Sequence, residues 1–177
     1  VRPGMVIILT DKFGSLCPLN VKMIEKIDPS FNGLTNSEDH IDPDISNDIL
    51  SSLGHPRFSL GKTISKFSPE FHEKFDADSH IIAVYPVVTD GVISLLHLAK
   101  LSNSHLFIKE IPMKYKELAM SATRECVISN TTSSTNGCHI ILASSKVAAD
   151  VLADLKKHNF DPQIIGIVMD DEKPTVT

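Results

Sequence analysis

Three short polar turns carry residue types that could act on a ligand. Thr89-Asp90-Gly91 follows an apolar run and precedes a helical pattern, while Thr10-Asp11 and Asn136-Gly137 lie at the ends of other apolar runs. A carboxylate in such a turn can orient a substrate group or a metal-bound phosphate, and glycine lets backbone N–H groups approach an anion closely. We therefore predict Asp90 as a catalytic residue. The other residues of the three turns are predicted to bind substrate or phosphate.

Each turn also has a purely structural interpretation. Asp90 could be the first-turn acid that any helix favours, and Gly91 could be needed only for a turn with positive φ. Asp11 and Asn136 could simply belong to turns that end or begin a strand. The residues alone leave both interpretations open.

Two other motifs resemble known sites but are incomplete. Gly61-Lys62-Thr63 looks like the end of a phosphate-binding loop, but Pro56 stands where that loop needs glycine, and no strand precedes it. Segment 28–48 contains three aspartates that could hold a cation, Asp39, Asp42 and Asp44. It lacks the glycine and terminal glutamate of a calcium loop, so we interpret it as an exposed acidic loop.

Histidine and cysteine spacing indicates no metal site. The eight histidines form no H-x3-H or H-E-x2-H pair, so His97 and His139 are interpreted as structural or solvated. The three cysteines are far apart and odd in number, which favours a reducing cytoplasm over a disulfide framework. Cys138 opens an apolar run and is interpreted as a small buried hydrophobe.

The elements that position the turns alternate between strand and helix patterns. Residues 81–108 predict a strand, a tight turn, a helix and a strand, an arrangement that would place four unpaired N–H groups of the helix at the end of a sheet. The other predicted strands are 5–10, 138–143 and 164–168 with a last short strand after them, and the other predicted helices are 20–27, 45–53, 114–127 and one after Ser144 or Ser145. The alternation predicts an α/β fold with helices packed on a mixed sheet. An antiparallel, α+β arrangement remains open, because periodicity does not determine strand pairing.

Two further segments have predicted packing roles. Phe67, Phe71 and Phe75 recur every four residues, which predicts an amphipathic segment with all three rings in the core. Residues 129–137 form a polar, turn-forming run that we predict to pack no core.

Composition excludes several classes of protein. The 177 residues, 42% of them hydrophobic, fit one domain with a real core. A net charge of −5 argues against a nucleic-acid or membrane surface. No apolar run approaches the ~20 residues of a membrane span. We predict a single domain over residues 1–177, in the cytoplasm.

Three segments, in order, resemble the C-terminal domain of one superfamily. Residues 2–10, RPGMVIILT, are similar to its PGD-V-I-L-T opening, and residues 89–92, TDGV, with IKEIP at 108–112, are similar to SDGL…IP. Residues 136–168 are similar to the last segment, G-LLIAV…IIG-V. The superfamily contains aminoimidazole ribonucleotide (AIR) synthetase, the hydrogenase-maturation protein HypE, selenophosphate synthetase, thiamine-monophosphate kinase and formylglycinamidine ribonucleotide synthetase. Residues 28–78 lie outside the resemblance and are expected to be a loop or insertion.

The resemblance implies an ATP-dependent enzyme of which this chain is the C-terminal domain. An N-terminal domain would dimerise and bind most of the ATP and Mg²⁺, and this domain would close the cleft over a small phosphorylated substrate or a nucleotide. The isolated chain is then expected to lack a complete active site. The sequence Arg2-Pro3-Gly4 before the first strand also looks like a domain boundary.

Departures from the family keep two alternatives open. The chain ends Pro-Thr-Val-Thr without the cysteine that carries the carbamoyl group in HypE-type chemistry, and Val92 replaces the glycine-rich remainder of the selenophosphate-synthetase turn. The alternatives are a non-catalytic α/β module that binds a small anion and an interaction domain without a ligand.

Overall fold

The computed structural model describes residues 1–31, 43–53, 57–87, 89–170 and 174–177. Its elements in chain order are β1 (Val6–Leu9), α1 (Cys17–Ile27), α2 (Pro43–Leu53), α3 (Phe58–Lys66), β2 (Ala83–Val87), α4 (Ile93–Ser102), β3 (His105–Ile108), α5 (Lys116–Arg124), β4 (Cys138–Ala143), α6 (Ser145–Lys157) and β5 (Gln163–Met169). Single 3₁₀ turns lie at Pro29–Phe31 and Thr131–Ser133. None of the helices in these ranges is long and apolar enough to cross a membrane.

The strands form one five-stranded sheet in the order β2-β4-β1-β5-β3, and each neighbouring pair is antiparallel. The predicted α/β class, with helices packed on a sheet, is confirmed, and the pairing is the antiparallel one that the sequence left open. β4, α6 and β5 form a split β-α-β unit, because β1 lies between the two strands that α6 connects.

Alternation along the strands divides the core into layers on both faces of the sheet. In β1, Ile7 and Leu9 pack in a cluster with α4, while Val6 and Ile8 pack in a second cluster with α3 and α6. This is the two-residue period of a strand whose two faces are both covered. A third, smaller cluster joins α1 to α5.

The prediction that Phe67, Phe71 and Phe75 all pack in the core was wrong. α3 ends at Lys66, and Pro69 soon afterwards prevents the helix from continuing. Phe67 is 9% exposed, but Phe71 is 95% and Phe75 54% exposed. Gly61-Lys62-Thr63 lies inside α3 and not in a loop.

Several helices differ from their predicted bounds. α1 begins at Cys17 rather than residue 20 because Pro18 is compatible with a first helical turn. α5 is shorter than predicted, and α2 begins at Pro43 rather than residue 45. β4 has the predicted bounds, and Ser144 caps α6 as predicted, with its Oγ accepting the N–H of Lys146.

The acidic segment can be followed only in part. Asp39 and Asp42 lie outside the described residues, and the structure does not describe the side chain of Asp44. The expected last short strand is reduced to one parallel bridge between Val176 and Leu106.

Candidate functional site

The three polar turns lie at the same end of the sheet. Leu9 pairs with Ile140, and Val87 pairs with Cys138, so β1 and β2 end where β4 begins. Turns 10–11, 89–91 and 136–137 therefore project from one edge of the fold, although they are far apart in the sequence.

Hydroxyl groups of the polar run 129–137 accept backbone N–H groups from segments next to two of these turns. The Oγ1 of Thr132 accepts the N–H of Val92 at 2.9 Å, and the Oγ1 of Thr135 accepts the N–H of Gly14 at 2.8 Å. Thr135 is buried. No residue of this run belongs to the three hydrophobic clusters, but its hydroxyls satisfy the backbone N–H groups of neighbouring turns.

The turn before α4 is tightly packed. Gly91 has φ +56°, and a Cβ there would lie 2.4 Å from the carbonyl carbon of Thr132, so both conformation and space require glycine. The first N–H groups of the helix have acceptors within the protein: Val92 donates to Thr132, Ile93 to the carbonyl of Asp90 and Ser94 to that of Gly91. The expected set of four unpaired N–H groups is therefore not present at this turn.

Asp90 itself projects outward. Its side chain is 50% exposed, and its Oδ2 lies 3.5 Å from Nδ1 of His97, seven residues later. Thr89 is also exposed. What this turn presents to a ligand is thus a solvent-facing carboxylate beside an imidazole.

Turn 10–11 has one inward and one outward residue. Thr10 is fully buried, and its Oγ1 accepts the N–H of His139 at 2.9 Å. Asp11 is only partly buried, and its Oδ2 lies 2.8 Å from Nη1 of Arg57. Thr10 is thus hydrogen-bonded to β4, whereas Asp11 lies at the edge of the site.

Arg57 was not predicted as a site residue, yet it lies at the centre of this edge. Its guanidinium carbon lies 5.3 Å from the centre of the Phe160 ring. Its Nε lies 2.8 Å from the position that a Cβ on Gly137 would occupy, and Gly137 has φ +67°. Nothing in the local sequence around Arg57 indicates these contacts, because its three partners come from turn 10–11, the 136–137 turn and the segment after α6.

A cavity of about 510 Å³ opens beside Arg57. Its polar side consists of Arg57, Asn136, Gly137 and His139, and its apolar side includes Phe58, Leu60 and Ile64. Two of the predicted binding residues, Asn136 and Gly137, therefore line the same cavity as Arg57, which the sequence did not single out, and His139, which was interpreted as structural or solvated.

The His139 imidazole lies in the polar wall of this cavity. Burial lowers its pKa, and the charge of Arg57 lowers it further, although the nearby Gly137 backbone opposes both. Its Nδ1 is buried and has no hydrogen-bond partner among the described residues. The neighbouring Cys138 is buried, as predicted, and burial raises the pKa of its thiol to about 12.

In the part of the chain that the structure describes, no group of three His, Cys, Asp or Glu side chains could hold a metal ion. The two carboxylates of the site each lie near a basic side chain, Asp11 beside Arg57 and Asp90 beside His97. These residues do not fit a magnesium site.

No family model matches the sequence, and no curated protein does. Solved structures match over almost the whole chain. E. coli HypE is 17% identical with a TM-score of 0.64 over 97% of this chain, and thiamine-monophosphate kinase from Stenotrophomonas maltophilia K279a is 17% identical with a TM-score of 0.57 over 99%. PurL of T. maritima, complexed with FGAR, is 15% identical with a TM-score of 0.54 over 96%. HypE structures in complex with ATP and with HypF also match, at 16% and 18% identity and TM-scores of 0.58 and 0.57.

These matches show that the chain has the fold of AIR-synthetase-related proteins, so the resemblance seen in three sequence segments is confirmed at the level of the fold. The chain spans about half the length of the matched HypE and thiamine-monophosphate kinase structures, 46% and 50% respectively, and 24% of PurL.

Proposed function

We propose that this chain is the C-terminal domain of an ATP-dependent enzyme resembling AIR synthetase and HypE, and that it closes the cleft over a phosphorylated substrate or a nucleotide. The observation that carries the proposal is the meeting of the three predicted turns at one end of a sheet, within a fold that matches half of each HypE structure. Shared fold alone does not assign an activity, so the site must be tested directly.

Nucleotide use is supported by a matched structure, HypE in complex with ATP. We propose that an N-terminal domain outside this chain supplies most contacts to ATP and Mg²⁺. Because the described residues here do not fit a magnesium site, we assign no magnesium ligand and no metal-dependent step to this domain.

In this proposal Asp90 is the catalytic residue, since its half-exposed carboxylate can orient a reacting group. Thr89 and Gly91 place that carboxylate, and Asn136 and Gly137 provide N–H donors for phosphate oxygens. Donors that are held in position before the reaction stabilise charge as it develops on a transferring phosphoryl group. Thr10 and Asp11 support the site from the turn after β1.

The assembly and location of the enzyme are part of the proposal. We propose that the N-terminal domain is the main partner, that the enzyme is a homodimer and that it is cytoplasmic. One matched structure is a HypE–HypF complex, which shows a protein partner for HypE and not for this chain. The three cysteines are all free, as a reducing compartment would keep them.

The test uses the full-length enzyme. Asp90→Asn should reduce ATP turnover at least about 100-fold with a nearly unchanged melting temperature, because an exposed side chain contributes little to stability. Asp150→Asn, an exposed position on α6, is the control and should retain activity. Unchanged turnover in Asp90→Asn would remove Asp90 from catalysis. A full-length protein that neither turns over ATP nor gains thermal stability with it would contradict the enzyme proposal.

A further inference from the structure

The cavity beside Arg57 has the size of a small-molecule site. Its volume of about 510 Å³ falls within the roughly 300–1,000 Å³ typical of ligand pockets. It lies between α3 and the 136–137 turn. One wall is polar and the other apolar, so a matching ligand needs a polar end and an apolar body.

The polar wall contains more donors than acceptors. A guanidinium carries five N–H groups, and among the described residues only Asp11 accepts a hydrogen bond from Arg57. The side-chain amide of Asn136 and the backbone N–H of Gly137 add further donors, and neither has a hydrogen-bond acceptor in the described part of the chain. An excess of N–H donors around a cation is complementary to the several lone pairs of an oxyanion.

Arg57 is held in place before any ligand arrives. The Asp11 carboxylate binds one Nη, the Phe160 ring lies 5.3 Å from the guanidinium carbon, and Gly137 leaves room for the Nε edge. A guanidinium that is already positioned loses less side-chain entropy when it binds a carboxylate or phosphate.

The apolar wall includes the ring of Phe58, which does not pack in the core. Leu60 is 5% exposed and forms part of the core on this face, whereas Phe58, on the same helix, is 77% exposed and Leu53 is 42% exposed. Phe58 and Leu53 both line the cavity. A flat apolar body lying against these side chains would cover surface that is otherwise in contact with water.

We propose that this cavity binds a small organic oxyanion, a carboxylate or phosphate ester on a planar apolar body. Arg57, Asn136 and Gly137 bind its charged end and Phe58, Leu60 and Ile64 contact its body. His139 lies in the same wall, beside the charged end of the ligand. The inference rests on the proposed function in its use of the 136–137 turn, but the site belongs to this chain and needs neither ATP nor another domain.

The experiment measures binding to the 177-residue chain by calorimetry, without nucleotide, with four probes. Phenyl phosphate and benzoate carry both features, inorganic phosphate carries only the charge, and benzyl alcohol carries only the ring. We expect phenyl phosphate or benzoate to bind at least about tenfold more tightly than either single-feature probe, because the two walls act on one molecule. The better of the two identifies the charged group.

The variants assign the binding to Arg57. Arg57→Gln should weaken binding of the better probe at least about tenfold, since charge-assisted hydrogen bonds are lost. Arg57→Lys should recover only part, because lysine lacks the fork geometry. Lys62→Gln removes the same charge from an exposed position on the same helix and should bind as the wild type does.

A second measurement does not depend on the variants folding. In the wild-type chain, nuclear Overhauser contacts should connect the probe ring to the methyl groups of the lining residues Leu53, Leu60 and Ile64. Contacts to other methyl groups, equal binding of inorganic phosphate and both ring-bearing anions, or full binding by folded Arg57→Gln would each overturn the proposal. If the probes do not bind but the full-length enzyme turns over ATP, only this pocket is rejected. If the probes bind as expected but the full-length enzyme does not turn over ATP, only the enzyme assignment is rejected.

Discussion

The Nη1 of Arg57 lies 2.8 Å from the Oδ2 of Asp11, across 46 positions of sequence. This pair joins the start of α3 to the end of β1, and the same guanidinium lies against Gly137. One arginine thereby links the segment outside the family resemblance to two of the turns within it. Because of this contact, any side chain at position 137 would meet the guanidinium of Arg57.

Gly137→Ala should destabilise the chain by about 1–3 kcal/mol. The new Cβ would lie 2.8 Å from the Nε of Arg57, and alanine is strained at φ +67°. Gly61→Ala is the matched control, because a Cβ there meets nothing within 4 Å and alanine favours a helix interior by about 1 kcal/mol. Urea unfolding of both variants measures the difference. Equal effects at the two positions would show that Arg57 does not occupy the space beside Gly137.

Asp154→Asn should remove part of the acid sensitivity of folding. Asp154 is 6% exposed, its Oδ1 lies 2.5 Å from Nζ of Lys66, and its Oδ2 accepts the hydroxyl of Thr63 at 2.8 Å. The hydrogen bond from Lys66 is the main cause that lowers the pKa of Asp154, with burial opposing it. A carboxylate with a lowered folded pKa contributes stability above its ordinary pKa of about 3.9, and this contribution is lost as pH falls through the folded value.

Urea unfolding at pH 7, 5 and 3 tests this expectation. The wild type should lose more stability between pH 5 and pH 3 than Asp154→Asn, which should already be weaker at pH 7 by about 1–3 kcal/mol because its buried hydrogen bonds are impaired. Asp150→Asn, exposed on the same helix, should follow the wild type. Parallel pH profiles for wild type and Asp154→Asn would show that this carboxylate carries no acid-labile stability.

One thiol should react rapidly in the folded chain. Burial raises the pKa of Cys17 to about 11 and that of Cys138 to about 12, whereas Cys126 is exposed. Titration with a disulfide reagent at pH 8 should modify one thiol per folded chain and three in urea. Cys126→Ser should abolish the fast reaction. A second fast thiol would mean that one of the two buried sites opens readily.

Phe67 and Phe71 belong to the same predicted periodic segment but differ in burial, so their alanine variants should differ in stability. Phe67→Ala should cost roughly 3 kcal/mol, since Phe67 is 9% exposed in the cluster beneath α3 and α6. Phe71→Ala should change stability by less than about 0.5 kcal/mol, since Phe71 is 95% exposed. Denaturant unfolding measures both. A large loss for Phe71→Ala would show that this ring is buried in solution.

Local pattern was sufficient to predict most elements. The run at 138–143 is continuously apolar and bounded by polar turns, so β4 was predicted with its observed bounds, and Ser144 was recognised as a cap by its residue type. Strand order was not predictable, because the same apolar runs could pair in several orders. Phe71 was misplaced because a four-residue period persists in sequence even where Pro69 prevents a helix.

By itself, the sequence determined the alternation of strands and helices, the polar turns at 10–11, 89–91 and 136–137, and a resemblance to one family of folds. Each of these depends on neighbouring residues or on short motifs. Only the tertiary structure decided that the turns share one end of the sheet and that Arg57 and His139 stand beside Asn136 and Gly137. Those relationships arise from packing between segments far apart in the chain, and no local pattern around Arg57 encodes its contact with Asp11.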